Sequence, residues 1–192
     1  MTRVGLVAIG RNEGERLQRC LQSVQGRFAR IVYVDSGSTD GSQQVAQALG
    51  AEVVALDTSA PFTAARARNA GVAQLMQSMP ELEYVQFIDG DCELDPAWPQ
   101  QALQHMVSHE RIAVVCGRRR ERYPERSVYN HLCDIEWNGP VGRVASCGGD
   151  AMVRVRAFDQ VGGYDPALIA GEEPDMCYRM AEKGWEIWQL RC

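Results

Sequence analysis

The sequence lacks any uninterrupted apolar run of about eighteen residues, the length that a membrane-spanning helix requires. The apolar stretch of the N-terminal segment MTRVGLVAIGRNE is too short, and too soon followed by charge, for a secretory signal peptide. We therefore expect a cytoplasmic protein or the cytoplasmic part of a larger one, with the inner face of the membrane as a second location. A length of 192 residues, of which 45% are hydrophobic, suits one well-buried domain and is short for two.

The sequence also lacks C-x-x-C pairs and has little lysine. The seven cysteines are widely scattered and none belongs to a C-x-x-C pair, which favours reduced, mostly buried thiols over a disulfide framework or a zinc site. Lysine occurs once, at Lys183, against nineteen arginines. Arginine binds phosphate in a bidentate fork, so this excess fits phosphate recognition, although a coding bias explains most of it. The net charge of −5 argues against a broad nucleic-acid surface, and we expect no nucleic-acid partner.

Several nucleotide and metal motifs are absent as well. The first strand-to-helix turn has only Gly10 and Gly14, so the G-x-G-x-x-G pattern of a dinucleotide site is missing, and no G-x-x-x-x-G-K-[ST] motif occurs. His105 and His109 have a helical spacing, but Met106 stands where a zinc protease has its glutamate, and we interpret both histidines as surface residues. A bound nucleotide must therefore be held by something other than a glycine cradle.

The sequence does contain a regular alternation of apolar strands and amphipathic helices in its first half. Strand and helix in quick succession require crossover connections, and hence a mainly parallel sheet that is covered on both faces. The predicted fold class is α/β, with a Rossmann-like, mainly parallel central sheet and helices on both faces. The predicted strands are 3–9, 30–35, 51–56 and 84–89, and the predicted helices are 14–26, 38–50 and 63–78.

Polar residues and carboxylates follow three of these strands. Segments 10–13, 35–38 and 89–91 stand at the carboxyl ends of the first, second and fourth strands, where open parallel sheets bind ligands. Asp89 and Asp91 are two residues apart, and the glycine between them lets the chain bend so that both can reach one ligand. Oxygen-only ligation suits Mg²⁺ or Mn²⁺, which keep other positions for water and substrate phosphates. Because D-G-D is also a common turn sequence, the pair alone fits a turn equally well.

Five short segments, taken in order, resemble the family 2 glycosyltransferases, which are inverting enzymes of the GT-A fold. The segments are VDSGSTDGS, ARARNAG, FIDGDCELDP, GGDAMVRVRAF and GEEPDMCYRMAEKGW, and the resemblance extends from about Val4 to Glu186. It implies a single GT-A domain over 1–192, with a nucleotide-binding half over 1–95 and an acceptor and catalytic half over 96–192. Family members commonly continue with further helices, so we expect this domain to be truncated at its C-terminal end.

On the donor side, the resemblance gives base-binding roles to the end of the first strand. Arg11 occupies a position where an aromatic residue often stacks, and a guanidinium can also stack on a base. Asp35 corresponds to the aspartate that accepts a hydrogen bond from the base. Its alternative role, capping the next helix, is better filled by Ser38 or Thr39. The segment that cradles the base corresponds to Ile9, Gly10, Arg11 and Glu13.

The resemblance also implies contacts to a diphosphate and a metal. Arg68 in ARARNAG matches the arginine that reaches the diphosphate, whereas Arg66 lies about 200° away around a regular helix and is interpreted as solvated. Asp89 matches the residue near the ribose and the metal, and Asp91 matches the principal metal ligand, which implies a Mn²⁺ or Mg²⁺ cofactor. A diphosphate becomes a better leaving group when a cation and an arginine neutralise its growing charge.

In the catalytic half, inversion in one displacement needs a general base that takes the proton of the acceptor hydroxyl. Glu173 falls at the position of the family's catalytic aspartate, with Glu172 beside it on the acceptor side. Glu172 and Asp175 are alternative bases, and acidic residues in a first helical turn are also an ordinary stabilising feature. Gly148 and Gly149 match a segment that lines the acceptor side, where they allow close approach of a sugar or simply form a turn.

One further segment, GRRRERYPER at 117–126, is a basic cluster. It fits contact with anionic lipid heads or with a lipid-diphosphate acceptor. The interpretation that we favour is a solvated loop with partial pairing to Glu121 and Glu125.

Together these features predict a metal-dependent inverting glycosyltransferase that uses a nucleoside-diphosphate sugar, with a UDP-sugar favoured, in polysaccharide or cell-envelope glycan biosynthesis. The acceptor is expected to be a glycan or lipid-linked molecule, with peripheral membrane contact. The alternative is a catalytically inactive sugar-nucleotide-binding module. A nucleotidyltransferase would need a glycine-rich loop with a basic residue after the first strand, and AIGRNEGERL offers little of that.

Overall fold

The central element of the structure, a computed structural model that describes residues 3–191, is an eight-stranded sheet. The strands lie in the order β3-β2-β1-β4-β7-β5-β8-β6. They are β1 (Val4–Gly10), β2 (Arg30–Asp35), β3 (Glu52–Ala55), β4 (Tyr84–Asp89), β5 (Ile112–Cys116), β6 (Gly142–Val144), β7 (Ala151–Arg154) and β8 (Glu186–Gln189).

Six of the eight strands run in one direction. β1 pairs in parallel with β2 and β4, β2 pairs in parallel with β3, and β5 pairs in parallel with β8. β7 is antiparallel to β4 and β5, and β6 is antiparallel to β8. The predicted α/β fold with a mainly parallel sheet is confirmed, and the four strands predicted from the sequence agree with β1 to β4 within one residue at each end.

Helices cover both faces of the sheet because the side chains of its strands alternate between two cores. In β1, Leu6 and Ala8 pack with α1 and α2, whereas Val7 and Ile9 pack with α3 on the opposite face. Gly71 of α3 allows this helix to lie close to the sheet, because a Cβ there would overlap the Val7 side chain. The helices are α1 (Glu15–Val24), α2 (Ser42–Ala48), α3 (Ala64–Ser78), α4 (Trp98–Ser108), α5 (Val128–Glu136), α6 (Val155–Gln160) and α7 (Glu172–Glu182).

Helix α2 begins four residues later than predicted. The Ser38 N–H donates to Asp35 Oδ2 at 2.9 Å. The Thr39 N–H donates to Asn12 Oδ1 at 2.8 Å, so the residues before α2 form a turn that is tied to the neighbouring loop. The N-cap is Gly41, with φ of 84° and no side-chain cap. The expectation that Ser38 or Thr39 caps this helix is wrong.

A long excursion, residues 117–146, connects β5 to β7. It contains a short 3₁₀ turn (Pro124–Arg126), helix α5 and edge strand β6, and none of its residues is buried. Neither α5 nor β6 has a counterpart among the elements predicted from the sequence.

The thiols are reduced, as the sequence predicted for them. Every cysteine among residues 3–191 is free, and Cys20, Cys116, Cys147 and Cys177 are buried. Cys192 lies outside the described residues. Within the same range, no helix combines the length and the apolarity needed to cross a bilayer.

The histidines of α4 lie against the far edge of the sheet. His109 is exposed, as predicted, whereas His105 is half-buried. The His105 ring lies 4.6 Å from that of His109 and 5.4 Å from that of Trp188, so the pair packs against β8.

Candidate functional site

The carboxyl ends of three adjacent strands bring the predicted polar segments together. β2, β1 and β4 are neighbours in the sheet, and their register aligns Gly10 with Asp35 and Ile9 with Asp89. Ile9 and Asp35 are buried, Gly10 and Asp89 are half-buried, and Asp91 is exposed just beyond the turn. These residues therefore share one rim of the sheet.

Arg68 lies at the centre of this rim. Its Nη2 donates to Asp89 Oδ1 at 3.0 Å, and its Nη1 donates to Glu172 Oε1 at 2.8 Å. The same Nη1 lies 2.9 Å from Glu173 Oε1, and only 3% of the Arg68 side chain is exposed. One buried cation thus joins the end of β4 to the start of α7 and holds three acids from distant segments together.

The acids at the start of α7 differ in their surroundings. The side chain of Glu172 is 7% exposed and that of Glu173 is 16% exposed. Asp175, the other base considered from the sequence, pairs instead with Arg179 one turn later, at 2.6 Å. Glu172 and Glu173 therefore belong to the cluster around Arg68, and Asp175 does not.

The charged groups in this cluster shift each other's pKa values. Burial by itself lowers the pKa of Arg68, but Tyr164 and the neighbouring carboxylates raise that pKa above its ordinary value. The guanidinium also lies 5.5 Å from the Tyr164 ring centroid. Burial and the charge of Asp150 raise the pKa of Asp89 to about 6, against the opposing effect of Arg68. Asp89 is therefore a carboxyl group that titrates well above its usual range.

Arg66 stays away from this cluster, as predicted, but it is not solvated. Its guanidinium donates to the backbone carbonyls of Asp57 at 3.1 Å and Ala60 at 3.0 Å, and also to that of Pro61. The side chain is half-buried, because the loop after β3 folds back over the start of α3. The expectation of a solvated Arg66 is wrong.

Gly149 allows the backbone to approach the Arg68 cluster closely. A Cβ at Gly149 would overlap Arg68 Nη2. It would also lie 3.1 Å from Asp89 Oδ2 and 3.2 Å from Glu173 Oε1. Gly148 is exposed, and the nearest atom to a Cβ there would be 3.9 Å away. The two glycines predicted for the acceptor side thus have different environments, and only Gly149 is packed into the cluster.

Two residues that the sequence analysis missed extend the cluster. Asp150 Oδ1 accepts the Asp89 N–H at 3.0 Å. Asp150 Oδ2 pairs with Arg119 Nη2 at 2.5 Å, and that Nη2 lies 3.6 Å from Asp89 Oδ2. The Arg119 guanidinium also lies 5.3 Å from the ring centroid of Trp137. Asp89 therefore contacts two guanidinium groups and lies beside a second aspartate.

The sequence carried a signal for one of these two residues. Asp150 directly follows the glycine pair in GGDAMVRVRAF, one of the five segments that carry the family resemblance. Arg119 is one of five arginines in segment 117–126, and nothing in their spacing distinguishes it. Its position depends on how the excursion between β5 and β7 folds back on the sheet.

The basic segment 117–126 is half-buried to exposed, but its arginines do not pair with Glu121 and Glu125 as the sequence suggested. Its salt bridges run to other segments instead of within it. Arg120 Nε lies 2.8 Å from Asp134 Oδ1 of α5, and Arg122 pairs with Glu93 in the loop after β4. These contacts hold segment 117–126 beside the rim of the sheet.

Asp35 is buried and already holds a turn. Its Oδ2 accepts the N–H groups of Gly37 at 3.1 Å and Ser38 at 2.9 Å, and the Gln43 amide at 2.8 Å. The Tyr33 hydroxyl donates to Oδ1 at 3.2 Å. Burial raises the pKa of Asp35, but hydrogen bonds from Ser38 and Gln43 outweigh burial and bring the pKa below its usual value. Oδ1 therefore has a single donor here, whereas Oδ2 has three.

The segment after β1, which the sequence analysis predicted to bind the base, gains an aromatic neighbour from elsewhere in the chain. Arg11 is exposed, and its guanidinium lies 5.6 Å from the ring centroid of Phe62. Phe62 belongs to the loop before α3 and is 52% exposed. Glu13 is half-buried and pairs with Arg16 at 2.8 Å, and burial raises the pKa of Glu13. The aromatic residue that position 11 lacks thus lies beside it, through a contact that no local pattern predicts.

Asp89 and Asp91 fit a divalent cation by the chemistry of their donor atoms. Carboxylate oxygens are the ligands that Mn²⁺ and Mg²⁺ prefer. Burial and the charges of Asp150 and Asp91 raise the pKa of Asp89, and three aspartates here face only two guanidinium groups, those of Arg68 and Arg119. In the part of the chain that the structure describes, no group of three or more His, Cys, Asp or Glu side chains forms a complete metal site. Water and substrate phosphates would have to supply the remaining ligands.

A cavity of about 560 Å³ lies between α7 and the strands β6 and β8. Ser146, Pro174, Tyr178 and Trp185 are among its lining residues, and its walls are mainly apolar. It contains none of the carboxylates described above, although Pro174 directly follows Glu173. The charged groups therefore concentrate at the open rim and not in this cavity.

Residues 7–161 match the family model described as "Glycosyl transferase family 2". The chain belongs to glycosyl transferase family 2. The match includes Asp35, Arg68 and Asp89, whereas Glu172 and Glu173 lie beyond it. The family indicated by the five sequence segments is thereby confirmed.

One relative is named as a protein of succinoglycan biosynthesis. The chain is 27% identical over 190 residues to the succinoglycan biosynthesis protein ExoA of Rhizobium meliloti (strain 1021). That alignment covers 92% of this chain and 57% of ExoA, so the chain spans about half the length of this relative.

Solved structures of glycosyltransferases share the fold. The mannosyltransferase PcManGT from Pyrobaculum calidifontis, in complex with GDP-Man and Mn²⁺, matches with a TM-score of 0.75 at 16% identity, over 98% of this chain and 55% of that one. Glucosyl-3-phosphoglycerate synthase from Mycobacterium tuberculosis, in complex with Mn²⁺, UDP and glucosyl-3-phosphoglycerate, matches with a TM-score of 0.64 at 18% identity, over 99% of this chain and 70% of that one. At these identities the similarity shows the GT-A fold alone.

Proposed function

We propose that this chain transfers a sugar from a nucleoside-diphosphate sugar to an acceptor hydroxyl, with inversion at the anomeric carbon. The observation that carries the proposal is the buried Arg68, which joins Asp89 at the end of β4 to Glu173 at the start of α7. A leaving-group site and a base thereby lie within the span of one guanidinium. Membership of glycosyl transferase family 2 supports the same chemistry.

On the donor side, Arg68 binds the diphosphate by exchanging part of its carboxylate contacts for phosphate oxygens. Asp35 accepts a hydrogen bond from the base through Oδ1. A UDP-sugar is the favoured donor, supported by the UDP in glucosyl-3-phosphoglycerate synthase, and the GDP-Man in PcManGT supports a guanine nucleotide as the alternative. The residues that border the base are Ile9, Gly10, Arg11 and Glu13.

Asp91, together with Asp89, holds Mn²⁺ or Mg²⁺ in this proposal. When bound, such a cation neutralises charge on the departing diphosphate. The Mn²⁺ in both structural neighbours supports this assignment. Asp150 accepts the Asp89 N–H, and Arg119 offsets part of the negative charge, so Asp89 is held in place before substrate arrives.

Glu173 acts as the general base on the acceptor side. The bond between the anomeric carbon and the diphosphate oxygen breaks, and the acceptor oxygen bonds to that carbon from the opposite face. The proton of the acceptor hydroxyl passes to Glu173. Glu172 keeps Arg68 in position, and Gly149 leaves room for the acceptor beside the cluster. The acceptor is a glycan or a lipid-linked glycan.

Glu173→Gln tests this assignment. Removing the base should lower release of nucleotide from a panel of UDP- and GDP-hexoses by about 10²- to 10⁴-fold, while nucleotide binding measured by calorimetry is retained. Asp175→Asn is the matched control, because Asp175 pairs with Arg179 outside the cluster and should keep its activity. Equal rates in Glu173→Gln and the unmodified chain would contradict the role of Glu173.

The second candidate is a sugar-nucleotide-binding module without catalytic activity. It is favoured by one observation, namely that Arg68 is already neutralised by three carboxylates, two of them the proposed base and its neighbour. In that case the chain would bind a nucleotide but would release none from any sugar donor, and Glu173→Gln would change nothing.

A further inference from the structure

Helix α5 exposes its apolar side chains instead of burying them. Val128, Tyr129, Leu132 and Ile135 are 73%, 80%, 53% and 57% exposed, and α5 has no buried residue. Three of them follow the i, i+4, i+7 spacing and form one stripe, which a helix of a globular domain ordinarily packs against the core. Tyr123, just before the 3₁₀ turn, is 50% exposed. We call these five side chains the α5 patch.

The α5 patch is held away from the core by a well-formed segment. It belongs to the excursion 117–146, which is attached to the rest of the chain by salt bridges of Arg119 and Arg122 and by the pairing of β6 with β8. The Ser127 hydroxyl caps α5 by accepting the Asn130 N–H at 3.1 Å. The helix is therefore complete without any contact between its apolar stripe and the core.

The same excursion carries positive charge in an acidic protein. Residues 117–143 include six arginines and four acidic residues, whereas the whole chain has a net charge of −5. Arg126 is exposed at the end of the 3₁₀ turn before α5, and Arg143 is exposed in β6, where it lies 3.8 Å from Glu186 Oε1. The tyrosine rings in the patch suit the boundary between lipid headgroups and acyl chains. An apolar helical stripe, tyrosines and arginines together fit the surface of an anionic bilayer.

We propose that the α5 patch and the arginines around it dock this chain onto an anionic lipid bilayer. The stripe of α5 lies among the headgroups and upper acyl chains, and Arg126 and Arg143 meet lipid phosphates. Docking also turns the side of the rim that carries Arg119 toward the lipid. Arg119 belongs to the same excursion as α5 and pairs with Asp150 at the rim. This last step rests on the proposed function, since it would bring a lipid-linked acceptor to Glu173, whereas the docking itself does not depend on it.

Sedimentation with lipid vesicles, without nucleotide or metal, tests the docking. The chain should sediment with vesicles of phosphatidylcholine that contain phosphatidylglycerol as the minority lipid, and far less with pure phosphatidylcholine. Binding should weaken as salt is raised, because the arginines contribute through charge. The double variant Leu132→Asp/Ile135→Asp should bind at least about tenfold more weakly, since it places charge in the apolar stripe.

The matched control is Val107→Asp/Ile169→Asp, which puts the same charges at positions that are 62% and 85% exposed outside the patch. Its vesicle binding should equal that of the unmodified chain. Urea unfolding checks that both variants fold, and Leu132→Gln/Ile135→Gln, with the milder polar change, should show the same direction of effect.

Three results would overturn the proposal. The first is no binding to anionic vesicles, and the second is an equal loss of binding in the control variant. The third is that the unmodified chain forms dimers in light scattering, and that only the Leu132→Asp/Ile135→Asp variant is monomeric. The last would assign the patch to a second copy of the chain. Calorimetry of UDP binding is a separate measurement. If vesicle binding fails but UDP binds, the docking proposal is wrong and the proposed function stands. If UDP binding fails but the vesicles bind, the docking proposal stands.

Discussion

At the scale of single residues, Asp89 combines a structural and an electrostatic role. It ends β4, accepts a hydrogen bond from the buried Arg68 and receives support for its own N–H from Asp150. Burial and the charge of Asp150 raise its pKa to about 6 in spite of Arg68. A carboxyl group in this state is sensitive to both pH and ligands.

This raised pKa predicts a pH dependence of stability in the chain free of nucleotide and metal. The pKa of Asp89 lies above its ordinary value of 3.8, so between these two values the folded chain binds more protons than the unfolded chain. The stabilisation is therefore present in full below the lower value and is lost as pH rises through about 6. Asp89→Asn removes it.

Urea unfolding at pH values from acid to neutral measures this effect. The difference in free energy of unfolding between Asp89→Asn and the unmodified chain should shift in favour of the variant as pH rises. Asp159→Asn, which changes an exposed acid in α6, is the control. A difference that stays constant with pH would contradict the raised pKa.

The sequence could predict which side chains reach the rim only where local geometry decides it. Helical spacing separated Arg68 from Arg66 correctly, because residues two positions apart on a helix point to different sides. It could not tell that Arg66 would bind the loop carbonyls before α3. Arg119 was missed because its contact with Asp150 joins segments that no local pattern connects.

At the scale of elements, the loop between β6 and β7 controls how the two sides of the cluster meet. Its Gly149 lies so close to Arg68 that any side chain there would displace the guanidinium. Gly149→Ala should therefore weaken nucleotide-sugar turnover by tenfold or more and reduce nucleotide affinity, as about 1.4 kcal/mol of lost contact would do.

Gly148→Ala is the matched control for this prediction. It adds the same methyl group one residue earlier, where the nearest atom would be 3.9 Å away, so turnover and affinity should change little. Similar losses in both variants would show that the loop needs glycine for its backbone, and would contradict a specific overlap with Arg68.

The first four strands could be read from the sequence, whereas the start of α2 and the whole of α5 could not. Each strand contains a short apolar run, which is a local signal, and β1 and β4 are buried along almost their whole length. The start of α2 depends on Asn12, which has a φ of 57° and accepts a hydrogen bond from Thr39 across two loops. Helix α5 was overlooked because its apolar residues lie in a stretch rich in charge, and its stripe has no core partner.

At the scale of the whole molecule, one continuous sheet carries both proposed halves. β1 to β4 lie on one side of β7, and β5, β6 and β8 lie on the other. Arg68 adds a side-chain link between the same halves, from β4 to α7. The division into a donor half over 1–95 and an acceptor half over 96–192 remains a prediction. This prediction is supported by the rim residues, because they come from both halves of the chain.

The most direct test of the central claim is calorimetric binding of UDP, GDP and dTDP, each with Mn²⁺ and with a chelator, to this chain and to Asp91→Asn. We predict that one nucleotide, UDP first, binds with Mn²⁺ present and that its affinity falls at least tenfold with chelator or with Asp91→Asn, about 1.4 kcal/mol. Binding of none of them to a chain that unfolds cooperatively in urea, or binding that is indifferent to both Mn²⁺ and Asp91, would contradict the account.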